Sequence, residues 1–219
     1  MHIAIDGPAG SGKSTVAKIL AHKLNLTYID TGAMYRAITL KIIWNKINPN
    51  DPNDIQNLME NTSISIRNNR VFLDNKDVSN KLRTPEVNKL VSRVSKIKKI
   101  RQHMVKLQKE MARNNNVIMD GRDIATRVLP DADFKFFLTA SLEERAKRRA
   151  KDLKKAGYVY DFGQIKKEIE ARDKMDMKRR ESPLRRAKDA VLIDTTNKSI
   201  QEVVDEILSH IKGGKKSVL

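Results

Sequence analysis

The chain has 219 residues, with 44 Lys and Arg against 27 Asp and Glu for a formal charge of +17, 39% apolar residues and no cysteine. That length suits one α/β domain with an excursion, and the missing cysteines exclude a disulfide scaffold and any Cys-ligated zinc site. The longest apolar run, the four residues 190–193, is far short of the about 20 that a membrane helix needs, and the N-terminus has no basic or long apolar region, so a cytoplasmic location is expected.

In chain order, a short apolar strand at 2–6 leads through a glycine-rich turn into a helix, Lys13–Leu24, whose Val16, Ile19, Leu20 and Leu24 share one face. A second strand around Tyr28 and Ile29 precedes a helix expected over 33–47, and residues 48–52 read as a loop. Residues 63–66 and 70–73 alternate apolar and polar about Asn68 and Asn69, which predicts an antiparallel hairpin inserted into a β-α-β chain. Thr84 and Pro85 open helical spacing that continues to about Arg113, with a break near Ile97. Strands follow at 117–119 and 134–138. Ser141 to Glu144 is a capping box before a basic helix reaching about Ala156, and a second charged helix runs over 162–180. A last strand at 190–193, a capping box from Ser199 to Glu202 and a helix ending at Gly213 and Gly214 complete the pattern, with 215–219 as a frayed tail.

Alternating strands and helices predict an α/β fold, a parallel sheet covered on both faces, with ligands at the carboxyl ends of the strands. Asp6, Asp30, Asp120 and Asp194 each follow a strand, so one sheet edge collects the polar chemistry. The excess charge, concentrated in 76–113 and 141–190, invites a nucleic-acid reading. Neither region interleaves the aromatics that single-strand binders stack on bases, apart from Tyr158, Tyr160 and Phe162, so nucleic acid is not the expected partner.

Gly7-Pro8-Ala9-Gly10-Ser11-Gly12-Lys13-Ser14, followed by Thr15, fits G-x-x-x-x-G-K-[ST] without mismatch, between a strand and an amphipathic helix. The glycines let backbone N–H groups converge on phosphate oxygens at a helix N-terminus, Lys13 reaches the β and γ phosphates, and the Ser14 hydroxyl meets Mg²⁺. An Asn-Lys-x-Asp guanine motif is absent, and motors or helicases need longer chains, so a small-molecule kinase using ATP is favoured. Its acceptor calls for cations, and arginine pairs bidentately with phosphate. Arg36 and Arg122 follow strand ends, and Arg172, Asp176 and Arg179 are spaced to share one helical face.

Taken together, residues 6–15, the run Asp30-Thr31-Gly32-Ala33-Met34-Tyr35-Arg36, Asp120-Gly121-Arg122-Asp123 with 129–132, and Arg172-Asp173 through Asp176, Arg179 and Ser182 resemble the bacterial cytidylate kinase family over essentially the whole chain. The resemblance implies a P-loop NTPase fold with an inserted monophosphate-binding subdomain and a helical lid. It divides the chain into a core (1–35, 114–145, 180–219), a monophosphate-binding region (36–113) and a lid at about 146–165. It also implies transfer of the ATP γ-phosphoryl group to CMP or dCMP, with Mg²⁺. Carried over by motif, Arg36, Arg122 and Arg179 would hold the acceptor phosphate, and Arg172 with Asp176 the pentose. Ser92, Arg101 and Asp123 would read cytosine, and Thr31 and Tyr35 would line the cleft. Arg145 and Arg149, with Arg148 as a substitute, would contact ATP from the lid; Lys13, Arg122, Arg149 and Arg179 would serve the transfer itself. A monomer is expected. Two alternatives stay open at this point: a kinase of UMP or AMP, and a P-loop protein that binds nucleic acid.

Overall fold

The computed structural model describes residues 1–155 and 157–214. The predicted tail at 215–219, and residue 156 where the first lid helix was expected to end, lie outside them. The described residues divide into two compact units, Met1–Tyr28 with the chain from Asn116 onward, and Ile29–Asn115. No helix among them is long and apolar enough to cross a membrane.

A five-stranded sheet has the order β2-β6-β1-β7-β8, from β1 (His2–Asp6), β2 (Thr27–Asp30), β6 (Val117–Gly121), β7 (Phe134–Thr139) and β8 (Val191–Asp194), and all of it but the last two residues of β2 belongs to the first unit. β1 pairs in parallel with both β6 and β7, and β7 in parallel with β8. Strands buried on both faces read as continuous apolar runs rather than alternating ones, which is the character of Ile3-Ala4-Ile5 and Val117-Ile118-Met119. Helices α1 (Lys13–Leu24) and α8 (Ile200–Gly214) close one face, packing Val16, Leu20, Val204, Ile207 and Ile211 on Ile3, Ile5, Ile118 and Phe136. The capping box at the start of α8 forms in full, Glu202 N–H to Ser199 Oγ at 3.2 Å and Ser199 N–H to Glu202 Oε2 at 2.7 Å. The equivalent box before α6 (Leu142–Lys155) forms only its first half, because Glu144 turns outward to Arg148 at 2.9 Å. α6 and α7 (Phe162–Lys178) make a helical hairpin with its own small core of Ala146, Ala150, Ile165 and Ile169.

The second unit holds α2 (Thr31–Trp44), α3 (Pro52–Glu60), α4 (Pro85–Val94) and α5 (Lys98–Ala112), with the antiparallel sheet β3 (Ile64–Arg67), β4 (Arg70–Leu73) and β5 (Lys76–Asp77). Asn68 and Asn69 take φ of 49° and 59°, the left-handed pair a tight hairpin turn requires. The bounds of one expected loop and one expected helix shift, and two elements go beyond the expectations. The stretch after residue 52 is a helix, α3, capped by Asp51 on the Asn53 N–H at 2.7 Å with Pro52 in its first turn. The second helix starts at Thr31, because the Asp30 side chain caps Ala33 at 2.8 Å, and it ends at Trp44, because Lys46 turns to φ 50°. The hairpin gains a third strand, β5, which the length of Lys76–Asp77 is too short to signal. The break predicted near Ile97 separates α4 from α5.

Candidate active site

β1 delivers the phosphate loop. At Gly7, with φ 150°, a Cβ would lie 2.0 Å from the Leu138 carbonyl oxygen of β7, so only glycine lets the chain turn out of the sheet there. Gly12, φ 87°, is the N-cap of α1 and offers no side-chain cap, leaving the first amides of that helix open to an anion. Lys13 is 5% exposed and folds back on its own loop, donating to the Pro8 carbonyl at 2.6 Å and to Ser11 Oγ at 3.3 Å. Burial, and next the charge of Arg122, push its pKa from 10.5 down to about 7. Ser14 Oγ donates to Asp120 Oδ2 at 2.8 Å, and the Tyr28 hydroxyl holds the other carboxylate oxygen at 2.7 Å. Thr15 is exposed on the first turn.

The loop tip is gripped from the helical hairpin. Arg145, at the start of α6, donates to the Ala140 carbonyl at 3.0 Å and to the Ala9 carbonyl at 3.1 Å, and forms an ion pair with Asp173 of α7. The Asp173 carboxylate in turn accepts the Ala9 N–H at 3.3 Å. Arg145 is thus buried in an internal ion pair that reaches the loop at Ala9. Arg148 donates to both Oγ1 (2.9 Å) and the carbonyl (2.6 Å) of Thr195, and Arg149 is half-buried on the same turn.

The loop after β6 carries the acceptor candidates. Arg122 Nε reaches Asp176 Oδ2 at 2.9 Å, and Arg179 Nη1 reaches Asp176 Oδ1 at 3.3 Å. Arg179 Nη2 lies 3.6 Å from Asp123, a carboxylate that is 5% exposed. Burial works against ionising Asp176, but the guanidinium groups of Arg122, Arg172 and Arg179 outweigh it and hold its carboxyl below the ordinary range. One expectation changes here: α7 stops at Lys178, so Arg179 is not on the helical face with Arg172. Its backbone is extended (φ −64°, ψ 141°), and its Nε is fixed by the Ser182 carbonyl at 2.6 Å.

In Ile29–Asn115, Thr31 and Tyr35 are buried on α2 and Arg36 is half-buried beside Gly32, where a Cβ would stand 3.0 Å from its Nη1. Arg101, 2% exposed, lies over the Tyr35 ring at 5.3 Å and donates to the Ser95 carbonyl at 3.1 Å. Ser92 is half-buried on α4 and its carbonyl accepts from Ser95. Within this unit Asp30 also pairs with Arg83 at 3.5 Å.

Asp120 was expected among the polar residues at the strand ends without a role of its own, whereas Asp173, Thr195 and Arg83 had no expected place in these clusters. Asp120 had a readable signal, an apolar strand ending in one carboxylate next to the phosphate-loop strand. Asp173 and Thr195 meet the loop only through the packing of α6, α7 and β8, which no local pattern encodes.

The model of the family described as cytidylate kinase matches residues 3–213. A cytidylate kinase of Caldicellulosiruptor bescii is 51% identical over 212 residues, covering 95% of this chain and 94% of that protein. A cytidylate kinase of Carboxydothermus hydrogenoformans is 48% identical over the full length of both chains. Among solved structures, shikimate kinase from Acinetobacter baumannii in complex with shikimate aligns with a TM-score of 0.53 at 15% identity, over 99% of this chain and 95% of that one, a likeness of fold. A P-loop nucleic-acid binder is not favoured beside these relatives. With its phosphate loop, the arginines gathered about Asp176 and these relatives, the chain belongs to the cytidylate kinase family.

Proposed function

We propose that this chain transfers the γ-phosphoryl group of ATP to CMP or dCMP, giving ADP and CDP or dCDP. The observation that carries it is the Arg122–Asp176–Arg179–Asp123 cluster, polar, largely buried and, with Arg172 beside Asp176, carrying one more cation than anions, in the same unit as a phosphate loop with a buried lysine. A phosphate oxygen of the acceptor attacks the γ-phosphorus in line. An oxygen–phosphorus bond forms as the bond to the β,γ-bridging oxygen breaks, with no covalent enzyme intermediate. The acceptor is already anionic, so no general base is required. Lys13 and the loop amides offset charge on the donor phosphates, Arg122 and Arg179 hold the transferring and accepting groups, and Arg149 adds a lid cation.

Of the remaining residues, Arg172 and Asp176 take the pentose and Arg36 the acceptor phosphate. Asp123, Ser92 and Arg101 read cytosine, and Thr31 and Tyr35 line the cleft for CMP. Ser14 and Asp120, a hydroxyl and a carboxylate already 2.8 Å apart, fit Mg²⁺, a hard cation that takes oxygen ligands and keeps several waters. Held by Ser14 and Asp120, it would supply positive charge that offsets the charge of the donor phosphates. ATP lies on the loop 7–15; Arg145 serves it through Ala9. The enzyme works as a cytoplasmic monomer.

Cytosine offers an amine where uracil offers an oxygen, and a carboxylate facing that oxygen is left unpaired. Asp123→Ala should therefore lower the CMP-over-UMP ratio of kcat/KM by about tenfold or more. Steady-state kinetics giving the wild-type ratio would remove Asp123 from base recognition.

A further inference from the structure

Asp6 ends β1, one residue before the phosphate loop, and is 1% exposed. Its carboxylate is not turned to that loop's amides. Oδ1 accepts the Ile124 N–H at 2.9 Å and Oδ2 the Ala125 N–H at 2.8 Å. These two N–H groups open the single π-helical turn Ile124–Val128, where no intrahelical acceptor exists for them.

The residue in the N-cap position of that turn is Asp123, a type that ordinarily caps its own helix, yet its side chain makes no capping bond. Asp6 supplies the cap from a different strand. Because Asp6 stands in register with Gly121 of β6, the chain leaves the sheet beside Asp6, passes Arg122 and Asp123, and is caught again by Asp6 at Ile124. The two residues between are held at both ends, and the Asp123 carboxylate lies toward Arg179 instead of its own turn.

We infer that Asp6 is a positioning residue for acceptor recognition: by capping the Ile124–Val128 turn it keeps the Asp123 carboxylate directed away from that turn, on the Arg179 side, in the orientation that reads the acceptor base. This rests on the CMP kinase proposal above. Lys13 and Asp123 are the charged groups whose fields reach Asp6, so the competing role is electrostatic support of Lys13 and the donor.

Asp6→Asn separates the two. An amide offers one acceptor and one donor to two N–H groups, so one bond is lost and Asp123 can rotate to cap the vacated amide. The expected result is a KM for CMP raised roughly tenfold or more and a lower CMP-over-UMP ratio, with ADP affinity by calorimetry within about twofold of wild type. In an Asp123→Ala background the same change should add little, because it acts through Asp123. If Asp6→Asn does not fold, Asp6→Ser, whose hydroxyl accepts one of the two bonds, gives the same pattern. Equal losses for ATP and CMP, no loss for CMP, or full additivity with Asp123→Ala would overturn the role of Asp6 while leaving the kinase assignment intact. A wild-type chain that phosphorylates no pyrimidine monophosphate would instead remove the kinase reading itself, and the role of Asp6 with it.

Discussion

Lys13 is a buried ammonium whose pKa sits near 7 because desolvation and Arg122 oppose its charge. Phosphate favours the charged form, so nucleotide binding takes up a proton wherever free Lys13 is neutral. ADP affinity should therefore fall several-fold between about pH 6.5 and 8.5, and the binding heat should vary with the ionisation enthalpy of the buffer. A pH-independent affinity would mean that Lys13 stays charged in the empty loop. The sign for stability is the reverse of a salt bridge: the folded pKa is depressed, so the unfolded chain binds the extra proton between about 7 and 10.5 and stability rises with pH in that window. Lys13→Met should then stabilise the ligand-free protein at neutral pH by about 1 kcal/mol, roughly 2–4 °C in Tm, while abolishing turnover. A lower Tm would show that the bonds to Pro8 and Ser11 outweigh the desolvation. At this scale the phosphate loop was fully legible, because its spacing is local. The arginines of α6 were not: Arg145, Arg148 and Arg149 look alike in sequence, and only tertiary packing gives Asp173 to the first and Thr195 to the second.

The α6–α7 hairpin joins the two ends of the chemistry. Arg145 in the first turn of α6 and Asp173 late in α7 hold Ala9, and Arg172 and Asp176 stand on either side of Asp173 in the α7 sequence. Removing one partner of a buried pair strands the other charge, so Asp173→Ala should cost about 3–5 kcal/mol in chemical denaturation. Lys174→Ala, on the exposed side of the same helix, should change little, and equal effects from the two variants would contradict a clamp at Ala9. Most elements were readable from period and caps, since Asn68-Asn69 and the Ser199 box act on their nearest neighbours. The failures have physical causes. Helix α3 was hidden by the Asn/Pro-rich lead that in fact caps it, and Thr84 marks the start of α4 without making a side-chain cap. α7 was read to Arg180 because helical spacing continues in the sequence past Lys178, where the backbone has already turned extended.

For the molecule as a whole, the alternation of strands and helices was enough to place the phosphate loop, Asp120 and the Asp123 loop at the ends of neighbouring strands β1 and β6. The charge of +17 was less informative. Part of it is the arginines of the Asp176 and Asp173 clusters, but Lys99, Lys154 and Lys155 are exposed and lie outside those clusters. The central claim is the identity of the acceptor, and the most direct measurement is ADP release from ATP with Mg²⁺ and each nucleoside monophosphate in turn. CMP and dCMP should support turnover with a kcat/KM at least about a hundredfold above UMP and AMP, because the wrong base leaves a buried polar group unpaired. Equal use of UMP or AMP, or no ADP release with any monophosphate, would contradict it.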